Sequence, residues 1–142
     1  MKKILLTFSL IALSVMAAVA QDVTGKWQTF DDDTGKAKSV VEIYKQNGKI
    51  FGKVVEIADP SKRDATCTKC PDDDKGKPIM GLIIIKDLKK DGKEYNGGTI
   101  MDPNNGKVYK SYIELDGANT LKVRGYIGFS LLGRTQTWTR VQ

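Results

Sequence analysis

The sequence predicts an all-β domain whose eight antiparallel strands close into an up-and-down barrel, preceded by a cleaved signal peptide. Segments rich in β-branched and aromatic side chains alternate with clusters of Gly, Asn and Asp, which is the pattern of strands and hairpins. After residue 20, no window combines an apolar stripe of helical period with capping residues. A meander of eight strands would expose two sheet edges unless it closed, so closure is favoured over a two-sheet sandwich.

The first 20 residues predict export. Met1-Lys2-Lys3 is a short basic start, Ile4 to Met16 is largely apolar, and Ala18-Val19-Ala20 supplies the small residues that signal peptidase accepts. The apolar run is too short to span a bilayer, and position 21 is Gln rather than the Cys of a lipoprotein. We therefore expect cleavage after Ala20, a periplasmic or secreted location, and one domain over residues 21–142.

The candidate strands follow from the strand-forming segments and the turns between them. Asn47-Gly48 separates the second and third strands and indicates a type I′ turn, in which both central residues need positive φ. Turn residues also follow the fourth, fifth and sixth strands, at Asp91-Gly92, Asp102 to Gly106 and Asp116 to Asn119. In order, the predicted strands are Lys26 to Phe30, Ser39 to Lys45, Lys49 to Ile57, Ile79 to Asp87, Glu94 to Met101, Lys107 to Leu115, Thr120 to Ile127 and Arg134 to Val141.

Two connections depart from this pattern of short turns. The segment Ala58 to Pro78 is long for a compact domain, and such segments are usually functional, pinned or mobile. The second, Gly128 to Gly133, carries the large apolar residues Phe129, Leu131 and Leu132. It either folds inward to cap one barrel end or exposes an apolar tip to a partner, such as an envelope protein, or to a membrane.

Composition and charge exclude several classes of function. Hydrophobic residues make up 40% and charged residues 28% of the chain, as in a soluble globular protein. Removal of Lys2 and Lys3 lowers the net charge from +6 to +4, and no basic stripe interleaved with aromatic residues suggests nucleic-acid binding. Histidine is absent, which excludes Ser-His-Asp and Cys-His catalysis and His-ligated metal sites. We expect no cofactor, no metal and no enzyme activity.

Cys67 and Cys70 are the only cysteines, and both lie in the long connection. In an exported chain a disulfide between them is the first expectation. Because the ring it closes is small, its effect would be to hold the shape of the loop. A zinc site shared by two copies and a redox function are alternatives, although the βαβ context typical of redox motifs is absent.

Strand alternation gives a partial assignment of the faces. In the seventh strand it places Leu121, Val123 and Ile127 on the core side. In the eighth strand, burial of Trp138 would bring Gln136 to the same face, where the amide needs hydrogen-bond partners. Tyrosines beside such polar anchors are typical of small-molecule pockets, but Tyr is also common in strands for packing alone. The candidate ligand contacts are Tyr44, Tyr109, Tyr112, Arg124, Tyr126, Arg134, Gln136 and Trp138.

Five motifs occur in a fixed order: Cys67 to Cys70, Pro78 to Leu82, Gly97 to Tyr109, Leu121 to Gly128 and Gly133 to Arg140. Together they resemble the secreted bacterial family called domain of unknown function 2147, over essentially all of residues 22–142. The resemblance implies export and a calycin-like barrel, and it implies no reaction. Gly25-Lys26-Trp27 also resembles the lipocalin-type arrangement, in which an arginine of the last strand, Arg140 or Arg134, covers the tryptophan and closes the barrel. We assign Trp27 and Arg140 to that structural role.

These expectations lead to two functional hypotheses. The first is an exported binding protein whose barrel holds a small apolar or amphipathic ligand, with an arginine pairing an anionic group. The second is an envelope interaction module with a solid barrel and no ligand, acting through the long loop and the apolar residues of the last loop. The interior of the barrel decides between them, since a fully packed interior leaves no room for a ligand.

Overall fold

The computed structural model describes residues 22–129 and 131–142, and the predicted signal peptide, residues 1–20, lies outside the described residues. The described chain folds into one antiparallel sheet of eight strands in sequential order. Two short 3-10 turns, Pro60–Lys62 and Asp72–Asp74, interrupt the connection between the third and fourth strands. The strands are β1 (Gly25–Phe30), β2 (Ala37–Gln46), β3 (Lys49–Ile57), β4 (Ile83–Asp91), β5 (Glu94–Met101), β6 (Val108–Leu115), β7 (Thr120–Tyr126) and β8 (Gly133–Arg140).

The sheet closes on itself through pairing of the first and last strands. Trp27 and Gln28 of β1 lie opposite Arg140 and Thr139 of β8 in antiparallel register. Every strand therefore has two neighbours, and closure leaves no long sheet edge to pair with another chain. The predicted barrel is confirmed, and the sandwich alternative is excluded.

Most strand boundaries agree with the sequence pattern. The predicted β3 and β5 coincide with those observed, and Asn47 and Gly48 adopt the predicted positive φ of 53° and 76°. The fourth strand was placed wrongly, because it begins at Ile83 rather than at Ile79. Residues 79–82 form a turn in which Leu82 N–H donates to the Ile79 carbonyl, and their apolar side chains pack on the core from there. An apolar run alone does not distinguish a strand from such a packed turn.

The barrel interior divides into a packed half and a hollow half. The packed half lies toward the end formed by the short β2–β3, β4–β5 and β6–β7 turns. Its side chains are almost completely removed from solvent, and none of them lines the cavity described below. They are Trp27, Val41, Ile43, Ile50, Ile85, Leu88, Ile113 and Leu121.

Trp27 and Arg140 close the packed end. The Arg140 guanidinium lies 4.3 Å from the centre of the Trp27 ring, a cation–π contact. It also donates hydrogen bonds to the backbone carbonyls of Ala118 (3.0 Å), Thr24 (3.0 Å) and Asp22 (2.7 Å). One side chain thus ties the N-terminal segment, the β6–β7 turn and β8 together. The arginine over Trp27 is Arg140, while Arg134 lies at the opposite end of β8.

Asp22 fixes the same N-terminal segment from its other side. Its carboxylate pairs with Lys45 Nζ at 2.9 Å and accepts a hydrogen bond from the Tyr95 hydroxyl at 3.3 Å. Burial opposes ionisation of Asp22, but the hydrogen bond and charge of Lys45 outweigh it and lower the pKa of the carboxyl. Burial first, and then the charge of Asp22, raise the pKa of Tyr95.

Candidate ligand-binding cavity

The hollow half of the barrel contains a cavity of about 1060 Å³. Residues from the β1–β2, β3–β4, β5–β6 and β7–β8 connections border it, so its mouth lies at the end opposite Trp27 and Arg140. Two of these four connections are the unusual segments identified in the sequence. The volume is at the upper end of the range for small-molecule sites.

The inner wall of the cavity is mainly apolar. Val54, Ile84, Val123 and Trp138 contribute buried side chains from β3, β4, β7 and β8. Gly125 of β7 also borders the space, where a longer side chain would occupy part of it. The other apolar wall residues are Ile57, Ile79, Ile100, Met101 and Tyr109. Such a wall suits a ligand with a large apolar surface.

The rim of the cavity is charged. Its carboxylates accept hydrogen bonds from their own loops: Asp31 from the N–H groups of residues 33 and 34, Asp59 from Ser61, and Asp102 from the N–H of residue 104. The hydrogen bond from the Thr34 N–H, more than the charge of Lys38, lowers the pKa of Asp31. The rim carries the cations Lys36, Lys38, Lys62 and Arg134.

Asp32 organises the polar groups of β8 near the mouth. Its carboxylate pairs with Arg134 Nη1 at 2.8 Å and accepts hydrogen bonds from Gln136 Nε2 at 3.2 and 3.1 Å. Gln136 Oε1 in turn accepts a hydrogen bond from Trp138 Nε1 at 3.1 Å. Both the nitrogen and the oxygen of the half-buried Gln136 amide therefore have hydrogen-bond partners within the protein, as a polar group beside a buried indole needs.

Five of the eight candidate ligand contacts border this one cavity. Tyr109 lies in its wall, and no hydrogen bond to its hydroxyl is found among the described residues. Trp138 is buried in the wall, whereas Gln136, Arg134 and Tyr126 border the space nearer the mouth.

The other three candidates do not border the cavity. Tyr44 stacks on Phe51 with ring centres 5.9 Å apart, and the Tyr112 ring lies 6.4 Å from that of Tyr126. Arg124 donates to the Thr135 hydroxyl at 2.8 Å. All three alternate along their strands with buried neighbours, so the pleat directs their side chains to the outer face.

The sequence reasoning missed the aliphatic wall and the lysines of the rim. One signal could have found them: the four connections at the mouth are all longer than the turns at the closed end. Longer connections mark the open end of a barrel. Side chains near the strand ends at that end are therefore expected to surround a cavity. Lys36, Lys38 and Lys62 lie in or next to those connections.

The Cys67–Cys70 disulfide lies within the long connection and packs beside the cavity, and its Cα atoms are 5.3 Å apart. Both sulfurs are buried, and Cys70 Sγ lies 3.6 Å from the Sδ of Met101, a wall residue. Gly106 adopts a φ of +71° and touches the Lys69 carbonyl so closely that no side chain would fit there. The predicted disulfide is present, and its sulfurs pack against Met101 and the Pro103 carbonyl at the start of the β5–β6 connection.

The β7–β8 connection exposes its apolar residues. Phe129, Leu131 and Leu132 have exposed fractions of 75%, 88% and 64%, so this segment does not fold inward as a cap. Ile127 is also exposed, although the pattern placed it in the core, because β7 ends at Tyr126 before the alternation reaches it. We call Ile127, Phe129, Leu131 and Leu132 the apolar tip. Ile127 and Leu132 border the cavity mouth as well.

Within the described part of the chain, no group of three or more His, Cys, Asp or Glu side chains is placed to hold a metal ion. Residues 22–129 and 131–142 contain no helix that is long and apolar enough to cross a membrane.

Comparison with known proteins identifies a family and a fold. Residues 25–140 match the family model described as uncharacterized protein conserved in bacteria, DUF2147. Among solved structures, the chain is similar to protein HP1028 from Helicobacter pylori, described as belonging to the lipocalin family. The TM-score is 0.75 at 24% identity, covering 85% of this chain and 84% of that one, and it shows a shared fold. No curated protein matches the sequence.

Proposed function

This chain belongs to the DUF2147 family of uncharacterized bacterial proteins, and we propose that it binds a small hydrophobic or amphipathic molecule inside its barrel, without catalysis, after export. The observation that carries the proposal is the half-hollow interior. A cavity of about 1060 Å³ with an apolar wall opens at one end, while the other end is packed and sealed by Arg140.

The physical argument concerns the apolar wall. A hydrophobic ligand that removes this wall from water gains roughly 25 cal/mol for each Å² of apolar surface buried. The lipocalin-like barrel supplies the wall without ligand-induced folding, because its strands are held by pairing around the whole circumference. A preformed site of this kind avoids much of the ordering cost of binding.

The proposal is tested by binding of a fluorescent apolar probe, phenylnaphthylamine, and by native mass spectrometry of protein purified without denaturation. Val123→Trp places an indole in the cavity, and we expect it to weaken probe binding about tenfold or more. Lys122→Trp adds the same group to the exposed face of the same strand and is expected to leave binding unchanged. Equal binding by both variants, or no probe binding and no copurified ligand, would contradict the proposal.

Export is supported by the sequence of residues 1–20 and by the buried disulfide, which is typical of proteins from oxidising compartments. Cell fractionation and N-terminal sequencing of the purified protein test this part. We expect the mature chain to begin at Gln21 and to leave the cytoplasm. A mature chain that retains Met1 would refute it.

The apolar tip favours a second candidate function, an interaction with an envelope protein. Three neighbouring large apolar side chains more than half exposed are unusual on a monomer surface. Replacing Phe129 and Leu131, which do not border the cavity, by Ser should abolish capture of such a partner while leaving probe binding in the cavity intact. Capture that this variant retains would contradict the second function.

A further inference from the structure

We infer that the cavity selects amphipathic ligands with an anionic head group, a carboxylate or a phosphate monoester, held at the mouth by Lys36, Lys38 and Lys62. The inference rests on the proposed binding function and adds the chemistry of the head group. It is based on a difference between the charged groups at the rim. The carboxylates accept hydrogen bonds within the protein, whereas the lysine ammonium groups donate none to the described residues.

The three lysines are available to a ligand. All three border the cavity, and no ammonium group of the three donates a hydrogen bond to another described residue or forms an ion pair with one. Lys36 and Lys38 lie on the β1–β2 side of the mouth, and Lys62 lies in the first 3-10 turn of the β3–β4 connection, the neighbouring connection in the barrel order. A ligand whose chain occupies the wall would place its head group among these ammonium groups.

The fourth cation of the rim is already engaged. Arg134 pairs with Asp32 at 2.8 Å, and Asp32 also receives the Gln136 amide. The charge of that guanidinium is already paired, and an anion that bound its remaining N–H groups would also meet the negative charge of Asp32. The sequence had favoured an arginine as the anchor, and the contacts in the structure favour the lysines instead.

The carboxylates of the rim have structural roles. Asp31, Asp59 and Asp102 each use Oδ1 to accept backbone N–H donors that stabilise the turns of their own loops. Such Asx interactions fix the loop backbone. They also occupy the backbone N–H groups involved, and an ionised carboxylate has no donor of its own to offer an anion. Ammonium groups are therefore the strongest free donors at the mouth, and hydrogen bonds from a charged donor to an anionic oxygen are the stronger class.

The test compares ligands that share one apolar chain and differ in the head group: dodecanoate, dodecyl phosphate, dodecanol and dodecyltrimethylammonium. Each is titrated below its micelle concentration by displacement of phenylnaphthylamine. We expect the two anions to bind about three- to tenfold more tightly than dodecanol, as exposed ion pairs allow. The cation should bind most weakly. Raising the ionic strength from about 0.01 M to 0.15 M should reduce the preference for the anions.

The lysines are tested with the triple variant Lys36→Gln, Lys38→Gln and Lys62→Gln. It should bind dodecanol as the wild type does and lose the preference for anions. These exposed substitutions are not expected to disturb folding, which a thermal unfolding curve checks.

The matched control is Lys89→Gln, Lys90→Gln and Lys93→Gln, which removes the same charge at the closed end of the barrel. The control should keep the preference for anions. Three results would overturn the inference and leave the binding function intact. All head groups could bind equally, the triple variant at the mouth could keep the preference for anions, or the control could lose that preference to the same extent. Failure of every amphiphile to bind would overturn the function itself.

Discussion

Replacing Arg140 by Ala should destabilise the closed end of the barrel severely. The substitution removes the cation–π contact with Trp27, worth about 0.5–2 kcal/mol, and three hydrogen bonds from a charged donor, each worth about 1.5–3 kcal/mol at most. These terms are not additive, because the freed carbonyls of Asp22 and Thr24 regain water. We expect a loss of about 3–5 kcal/mol, a large part of the 5–15 kcal/mol typical of a domain.

The assay is urea denaturation followed by circular dichroism, with Arg134→Ala as the control on the same strand. The Arg134 side chain is 65% exposed, and its pair with Asp32 should contribute less than about 1 kcal/mol. Arg140→Lys keeps the charge and loses the planar fork, so an intermediate loss is expected. If Arg140→Ala and Arg134→Ala cost the same, the assignment of Arg140 as the residue that closes the barrel is refuted.

Three further results are expected. Trp27→Ala should lower stability by about 3–5 kcal/mol in urea denaturation and leave probe binding measurable at permissive temperature, because Trp27 does not border the cavity. Replacing Cys67 and Cys70 by Ser should lower the melting temperature slightly and weaken probe binding more clearly, since the disulfide packs against the cavity wall; unchanged binding would contradict this role. The hydrogen bond from Lys86, and to a lesser extent that from Lys77, lowers the pKa of Asp74, so this carboxylate stabilises the fold at neutral pH, and that stability is lost as the pH falls through the lowered pKa. Asp74→Asn should therefore show a smaller loss of stability between about pH 5 and pH 2 than the wild type; an equal loss would count against the assignment.

Much of the fold could be predicted from local sequence. The hairpin at Asn47-Gly48 and the limits of β3 and β5 follow from turn chemistry and strand composition, which act over a few residues. The start of β4, predicted at Ile79 and observed at Ile83, depends instead on contacts between distant parts of the chain. Ile79 looks like a strand residue locally, but its packing on the core from a turn depends on distant parts of the chain.

The candidate site could be predicted only in part. Trp138 was expected to be buried with Gln136 beside it, and the structure places both at the cavity. Tyr44 and Arg124 were grouped with them by residue type, and the pleat places them outside. Which of two alternating faces points inward depends on register and closure, which residue type alone does not determine.

The sequence by itself determined the class of the protein, an eight-stranded β domain without histidine chemistry, because strand periodicity, turn residues and composition are local properties. Only the tertiary structure decided that the interior is half filled, that Arg140 seals one end, and that Asp32 engages Arg134 while Lys36, Lys38 and Lys62 stay available at the mouth. Cavity volume and charge pairing depend on distances between residues far apart in the chain, and those distances are set only when the sheet closes.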